Sequence, residues 1–233
     1  MRTDVHVTTS RRIAAEAVGT ALLVAAVVGS GIMAQRLATD PAVALLANTL
    51  ATGGALVAIL LVFGPISGAH LNPAVTLSLA AKRELAPGLA AGYIVAQVGG
   101  GIVGAVAANA MFDLPLVTWS EHVRAGFPQL LSEGIATFGL LGVVIAVGRS
   151  RATVTPFAVA AYIIGAYWFT ASTSFANPAV AIARAFSNTY AGIRPIDVGG
   201  FVAAQLAGAA VGSAFFTWLV GVGRRSVEHE ANA

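Results

Sequence analysis

The sequence of 233 residues contains no cysteine and few charged side chains. Without cysteine the chain has no disulfide, no thiol redox chemistry and no thiolate metal ligand. Charged residues make up only 10% of the sequence, whereas hydrophobic residues make up 57%. So small a charged fraction cannot cover the surface of a water-soluble protein of this length. Together with a mean hydropathy of +0.82, it indicates a protein embedded in the lipid bilayer.

Concentrated clusters of basic or metal-binding residues are also missing. The net charge is +3, but the arginines and lysines are scattered at the ends of apolar stretches, a pattern that sets membrane topology. We therefore expect no nucleic-acid partner. His6, His122 and His229 have no metal-ligand spacing, and no nucleophile is paired with a base. We expect no metal, no cofactor and no enzymatic activity.

Six apolar stretches are long enough, at roughly 20 residues, to cross the membrane as helices. Only Glu16 and Glu133 carry charge within them. The first stretch follows a pair of arginines as a secretory signal would, but its length and the lack of a small-residue cleavage site predict a retained helix. The stretches cover approximately 13–35, 42–63, 89–112, 129–148, 154–171 and 198–222.

The basic residues predict the orientation of these spans. If both termini are cytoplasmic, nine basic residues lie inside and four outside, in agreement with the positive-inside rule. We therefore expect an integral protein of a bacterial or archaeal inner (plasma) membrane with cytoplasmic termini. The inner residues are Arg2, Arg11, Arg12, Lys82, Arg83, Arg149, Arg151, Arg224 and Arg225. The outer residues are Arg36, Arg124, Arg184 and Arg194.

The tetrapeptide Asn-Pro-Ala-Val occurs twice, at 72–75 and 177–180. Asparagine is a preferred N-cap and proline suits the first helical position, so each motif predicts a helix start. The apolar run that follows lasts only about 8–10 residues, which predicts a half-span beginning in mid-membrane. The residues before each motif are then irregular backbone, which is tolerated at this depth where it lines a wet cavity. The carbonyls expected to line it belong to Gly68, Ala69, His70, Leu71, Thr173, Phe175 and Ala176.

Matching residues in the two halves predict an inverted repeat. Glu16 and Tyr93 of the first half correspond to Glu133 and Phe201 of the second, at nearly the same offset as the two motifs. Each half then holds three spans and one motif, and because three is odd the second half lies upside down. The predicted fold is a single all-α membrane domain over 1–233, with six transmembrane helices and two re-entrant half-helices. The repeats cover about 10–112 and 128–223.

This arrangement predicts the chemistry of a central site. Two helix N-termini meet at the midplane, each with roughly half a positive charge, and hinder a cation or proton from crossing. Each asparagine oxygen caps its own helix, which leaves its amide group to donate into the cavity. Neutral hydrogen-bonding solutes pass most easily. We expect Glu16 and Glu133 to hydrogen-bond the re-entrant backbone; the alternative is a proton relay.

These residues resemble the aquaporin, or major intrinsic protein, family over about 10–225. The resemblance rests on Gly-Ala-His-Leu-Asn-Pro-Ala-Val and Ser-Phe-Ala-Asn-Pro-Ala-Val, with the matching glutamate, glutamine and glycine positions. It implies a homotetramer with one pore per subunit, which passes water and small neutral solutes in single file. The pore motifs implied are Asn72, Pro73, Ala74, Asn177, Pro178 and Ala179.

The constriction residues depart from the usual family pattern. The resemblance places them at Thr52 or Gly53, Gly165, Ser174 and Val180, and typical members carry arginine at the last of these. The glycerol-facilitator pattern fails too, because its tryptophan and aspartate are missing. We expect a wide, uncharged mouth that passes solutes larger than water, such as glycerol, urea or neutral metalloid acids like arsenous acid. The pattern resembles a bacterial branch with valine at this place, in which arsenic transport has been implicated.

Some alternatives stay open at this stage. Arg184 lies one helical turn beyond Val180, where it restores a positive field at the external vestibule, caps the half-helix or solvates the surface. A secondary active transporter is also built on inverted repeats with broken helices, although paired ionisable groups are missing from the spans. A non-conducting adhesion or scaffold protein of the same fold is the third possibility, and the intact asparagine pair argues against it.

Overall fold

The described part of the chain consists of eight α-helices and their connections. The computed structural model describes residues 7–221, and this part contains no β-strand. A 3₁₀ turn, Ala152–Val154, precedes the sixth helix. In chain order the helices are α1 (Thr9–Leu37), α2 (Pro41–Ser67), α3 (Pro73–Ala81), α4 (Pro87–Met111), α5 (Phe127–Ser150), α6 (Thr155–Phe169), α7 (Pro178–Arg184) and α8 (Pro195–Val220).

The six long helices and the two short ones confirm the predicted fold class. Helices α1, α2, α4, α5 and α8, and α6 with its 3₁₀ turn, are long and apolar enough to cross a membrane. Helices α3 and α7, of 9 and 7 residues, begin at the prolines of the two motifs. Several predicted features lie outside the described residues: the end of the last span at 222, and Arg2, His6, Arg224, Arg225 and His229.

Proline marks where these helices begin. Except in α1, proline occupies one of the first two positions of every described α-helix. The missing N–H of proline costs nothing at the start of a helix. At Asp40, Asn72 and Asn177 the N-cap side chain also accepts an N–H of the first turn. Pro65 lies instead near the end of α2, which stops at Ser67 and gives way to the irregular segment.

Glycines let the helices of each half approach closely. A Cβ atom at Gly100 or Gly104 of α4 would overlap a backbone oxygen of α1. A Cβ atom at Gly208 of α8 would overlap the carbonyl of Gly134 in α5 in the same way. Because only hydrogen fits at these positions, the glycines have the packing role that small residues play between membrane helices. The α1–α4 and α5–α8 pairs therefore have matching construction.

The long connection between α4 and α5 lies against the segment that follows α7. Ser120 N–H donates to the Ala185 carbonyl at 3.0 Å, and Arg194 N–H donates to the His122 carbonyl at 2.9 Å. This pairing carries Arg124 of the connection close to the end of α7. Nothing in the sequence indicated that proximity.

Candidate solute pore and outer vestibule

The two half-helices are joined through their asparagines. Asn72 Nδ2 donates to the Ala176 carbonyl at 2.8 Å, and Asn177 Nδ2 donates to the Leu71 carbonyl at 2.7 Å. Each asparagine Oδ1 accepts the N–H two residues further on, at 2.9 and 3.0 Å, and so caps its own helix. An amide group carries two N–H donors. One donor on each asparagine therefore remains for a solute.

The segments that lead into the motifs have the same irregular backbone in both halves. Left-handed φ angles occur at Ala69 and Leu71, 46° and 50°, and at the corresponding Ser174 and Ala176, 50° and 47°. The carbonyls of 68–70 and 173–175 accept no hydrogen bond from the described residues. A left-handed conformation costs about 1–3 kcal/mol at a non-glycine residue, so neighbouring groups must hold it in place.

Two buried glutamates hold these segments. Glu16 accepts the N–H of His70 at 2.9 Å and that of Leu71 at 2.7 Å. Glu133 accepts the N–H of Phe175 at 2.9 Å and that of Ala176 at 2.8 Å. In each half a buried glutamine also donates to the carboxylate, Gln97 at 2.8 Å and Gln205 at 2.6 Å. The oxygens of both acids are therefore hydrogen-bonded to the backbone of the irregular segments and to a glutamine.

A cavity of about 770 Å³ extends along the joined half-helices. It is lined at one end by Thr153 of the 3₁₀ turn that precedes α6, then by Asn72 and Asn177, and at the opposite end by Tyr167 and Arg184. The predicted carbonyl residues lie along it, apart from Thr173, which lines a second, smaller cavity instead. Much of the remaining wall is apolar and includes Leu23, Val27, Leu56, Leu140, Val144 and Ile163.

Three of the predicted constriction residues line this cavity: Thr52, Ser174 and Val180. Gly53 does not, because a Cβ atom there would meet the side chain of Ile164. Gly165 is exposed on the outside of α6, so the prediction for this residue is wrong. The physical reason is helix phase, since the cavity face of α6 carries residues four apart and Gly165 lies about 200° away from Tyr167.

Tyr167, and not Gly165, is the residue near the end of α6 that lines the cavity. It follows Val159 and Ile163 along the cavity face of α6, and its side chain is 4% exposed. Its hydroxyl donates to Thr52 Oγ1 at 3.4 Å across the cavity. The i, i+4 spacing of Val159, Ile163 and Tyr167 is a signal in the sequence that indicates this face of α6.

The end of the cavity beyond Val180 carries charge, contrary to the uncharged mouth expected from this residue. Arg184 is buried, lines the cavity, and donates through Nε to the Ala191 carbonyl. Its guanidinium lies over the ring of Phe175, with Cζ 3.4 Å from the ring centroid. A buried side chain bonded to a loop carbonyl neither solvates the surface nor caps α7. These contacts contradict two of the three roles left open for Arg184, surface solvation and capping of α7.

A second cavity, of about 220 Å³, adjoins this end and is also lined by Arg184. Arg124 also lines this second cavity. Burial lowers the pKa of the Arg124 guanidinium to about 10, so that the group is protonated at neutral pH. Burial, with smaller contributions from the two guanidinium groups, lowers the pKa of His122 below its usual range. Within 7–221, no group of three or more His, Asp or Glu side chains is placed to hold a metal ion.

The family model of the major intrinsic proteins matches residues 4–176 of this chain. The chain belongs to the major intrinsic protein family. The match includes the first motif and ends at the residue before Asn177. Membership identifies the protein as a passive membrane channel for water and small neutral solutes, and not as an enzyme.

Individual members of the major intrinsic protein family resemble most of the chain. The aquaglyceroporin AqpS of Rhizobium meliloti is 54% identical over 211 residues, which cover 91% of both chains. Aquaporin Z of Bradyrhizobium diazoefficiens is 31% identical over 90% of this chain and 93% of its own. The X-ray structure of the aquaglyceroporin from Plasmodium falciparum, only 20% identical, superposes with a TM-score of 0.71 over 91% of this chain and 97% of its own. This last likeness concerns the fold alone.

Proposed function

We propose that the channel passes neutral solutes larger than water, of the class of glycerol, urea and undissociated metalloid acids such as arsenous acid. The observation that carries this proposal is Val180, which lines the cavity between Asn177 and Arg184. An arginine at 180 would place a guanidinium beside the asparagine pair, in the part of the cavity that Thr52 also lines. A valine there leaves that volume to the solute and moves the positive charge one helical turn outward.

The wall chemistry supports a polyol-like solute. One part of the wall is aliphatic, which suits the C–H groups of glycerol, and another offers the unpaired carbonyls of the re-entrant segments. Ser174 Oγ has no hydrogen-bond partner among the described residues, and Thr52 Oγ1 accepts only the long bond from Tyr167. A solute that carries several hydroxyls can replace its water contacts with these groups as it moves. The relative AqpS is named an aquaglyceroporin, which agrees with this solute class.

Proteoliposome swelling tests the proposal. We expect the wild type to conduct water, glycerol, urea and arsenous acid, with a flux linear in the solute gradient and insensitive to ionophores. Val180→Arg should reduce glycerol flux at least tenfold while water flux is kept, because the added guanidinium narrows the path and binds water well. Val180→Ile, which adds one methylene and no charge, is the matched control and should retain most of the glycerol flux.

Other outcomes would point elsewhere. A wild type that excludes every solute larger than water would contradict the proposal. A saturable flux abolished by ionophores would favour the secondary active transporter, and no flux of any kind would favour the adhesion or scaffold protein. Equal loss of glycerol flux in Val180→Arg and Val180→Ile would show that bulk alone, and not the guanidinium, sets the selectivity.

We also propose the assembly and orientation that the resemblance implies. Four chains associate in a plasma membrane, each with its own pore built from the repeats 10–112 and 128–223, and both termini face the cytoplasm. Exposed apolar side chains along the outside of the helices support contact with lipid and with neighbouring copies, among them Leu22, Leu46, Val95, Val103, Phe157 and Val211. Native mass spectrometry of the detergent-solubilised protein tests the fourfold assembly.

A further inference from the structure

Two guanidinium groups at the outer end of the pore have no acidic partner. Arg124 and Arg184 are 7% and 2% exposed, and neither forms a salt bridge with a described residue. The nearby carboxylates are already engaged: Glu133 accepts three N–H groups, and Asp197 is paired with Arg194. A buried charge without a partner is costly, because the lost hydration is not replaced. Two such charges side by side also repel each other.

Both guanidinium groups are held in place but have donors to spare. Arg124 donates through Nε to the Gly192 carbonyl at 2.8 Å and through Nη1 to the Ser172 carbonyl at 3.1 Å. Arg184 uses only its Nε, so that neither Nη group has a partner among residues 7–221. Both cations flank the ring of Phe175, at 4.9 and 3.4 Å from its centroid. The fork geometry of such donors matches a carboxylate or another oxyanion.

The cavity between them is polar and of suitable size. Its volume is about 220 Å³, enough for an anion of a few heavy atoms together with water. Besides the two arginines, polar side chains of the lining belong to Asn48, His122, Gln129, Thr173 and Tyr190, and none of the described lining residues is acidic. The site therefore presents two positive charges and several neutral polar groups to whatever occupies it.

We propose that this outer vestibule is a binding site for a small oxyanion of the monocarboxylate class, held between Arg124 and Arg184. Because Arg184 also lines the main cavity, an anion bound there obstructs the path of neutral solutes. The binding half of the proposal stands independently, whereas the obstruction rests on the proposed function as a neutral-solute channel. External monocarboxylate then acts as an inhibitor of solute flux.

Isothermal titration of the purified full chain with sodium acetate tests the binding half. The sodium concentration is kept constant with the bulky anion of HEPES as the balance. We expect saturable binding of one acetate per chain, weakened at least tenfold in Arg124→Gln and in Arg184→Gln. Arg36→Gln removes the same charge from an exposed outer arginine and should bind as the wild type does.

Each variant is checked for folding by its thermal unfolding and elution profile. Arg184→Gln loses only one protein hydrogen bond, so it keeps the test decisive if Arg124→Gln does not fold. Absence of saturable acetate binding, or equal binding in wild type and Arg184→Gln, would overturn the proposal.

Glycerol flux tests the obstruction. In proteoliposomes, saturating external acetate should lower glycerol flux of the wild type at least twofold and leave that of Arg184→Gln unchanged relative to its own acetate-free value. Flux that ignores acetate in a protein that binds it would overturn the obstruction alone. A protein that binds acetate but conducts no glycerol without it would contradict the proposed function and leave the anion site intact.

Discussion

Tyr167 lines the same cavity as Val180. Its ring is buried, and its hydroxyl reaches Thr52 of α2 across the cavity. The absence of an arginine at 180 therefore does not by itself produce a wide opening. We propose that the size limit for solutes is set by this aromatic ring on one wall and by small hydroxyl side chains, Thr52 and Ser174, on the others.

We predict that Tyr167→Ala raises the upper size limit for permeation. Glycerol flux should increase severalfold and a five-carbon polyol should become permeant, because removal of the ring opens the cavity at Thr52. Swelling rates of proteoliposomes in a series of polyols of increasing length measure this limit. Phe169→Ala, an equally large truncation on the exposed face of the same helix, is the control. An unchanged size limit in Tyr167→Ala would place the narrowest point elsewhere.

The re-entrant segments depend on the long helices for their shape. Their left-handed residues would not persist alone, and the carboxylates of α1 and α5 supply the compensating hydrogen bonds. Each carboxylate accepts several N–H groups in a buried place, where charged hydrogen bonds contribute about 1.5–3 kcal/mol each. The half-helices are thus positioned by the carboxylates of two long helices, which lie far from them in sequence.

We predict that Glu16→Gln and Glu133→Gln destabilise the protein by similar amounts, about 2–4 kcal/mol, because each leaves one buried N–H facing an amide donor. Thermal unfolding in detergent measures the loss. Thr20→Val and Thr137→Val, which remove matched buried hydroxyls bonded only within their own helices, should have smaller effects. A proton relay predicts a different result, namely altered pH dependence of flux with stability kept.

Local rules explain which elements could be predicted. The starts of α3 and α7 follow from Asn-Pro alone, because capping and the proline preference act within one turn. The direction of Gly165 could not be predicted from its distance to Asn177 in the sequence, because irregular backbone lies between the two residues. The approach of Arg124 to Arg184 could not be predicted from the sequence. It depends on how the long connection between α4 and α5 packs against the segment that follows α7.

Within residues 7–221 the helices form two sets of the same construction, α1 to α4 and α5 to α8. Each contains two long helices, a half-helix and a final long helix, and each pairs its first and last helices through glycines. The charged side chains near the ends of the helices then decide how the molecule sits in the membrane. The proposed orientation makes a direct prediction, which the lack of cysteine makes simple to test.

We predict that the connection between α4 and α5 faces the outside of the cell. A single cysteine introduced at Glu121, which is exposed there, should react with a membrane-impermeant maleimide added to intact cells. A cysteine at Glu84, exposed between α3 and α4, should react only after the cells are opened. Because the chain has no cysteine of its own, labelling reports the introduced site alone. The reverse pattern would invert the proposed topology.

The exchange of hydrogen bonds between Asn72 and Ala176, and between Asn177 and Leu71, bears on how the chain is made. During synthesis the first motif emerges more than a hundred residues ahead of the second. Until the second arrives, the amide of Asn72 and the carbonyl of Leu71 lack their partners in the middle of the membrane. We expect the central contact to be the last to form during biogenesis, so that a nascent chain interrupted between α4 and α5 holds a first half that is inserted but unfinished.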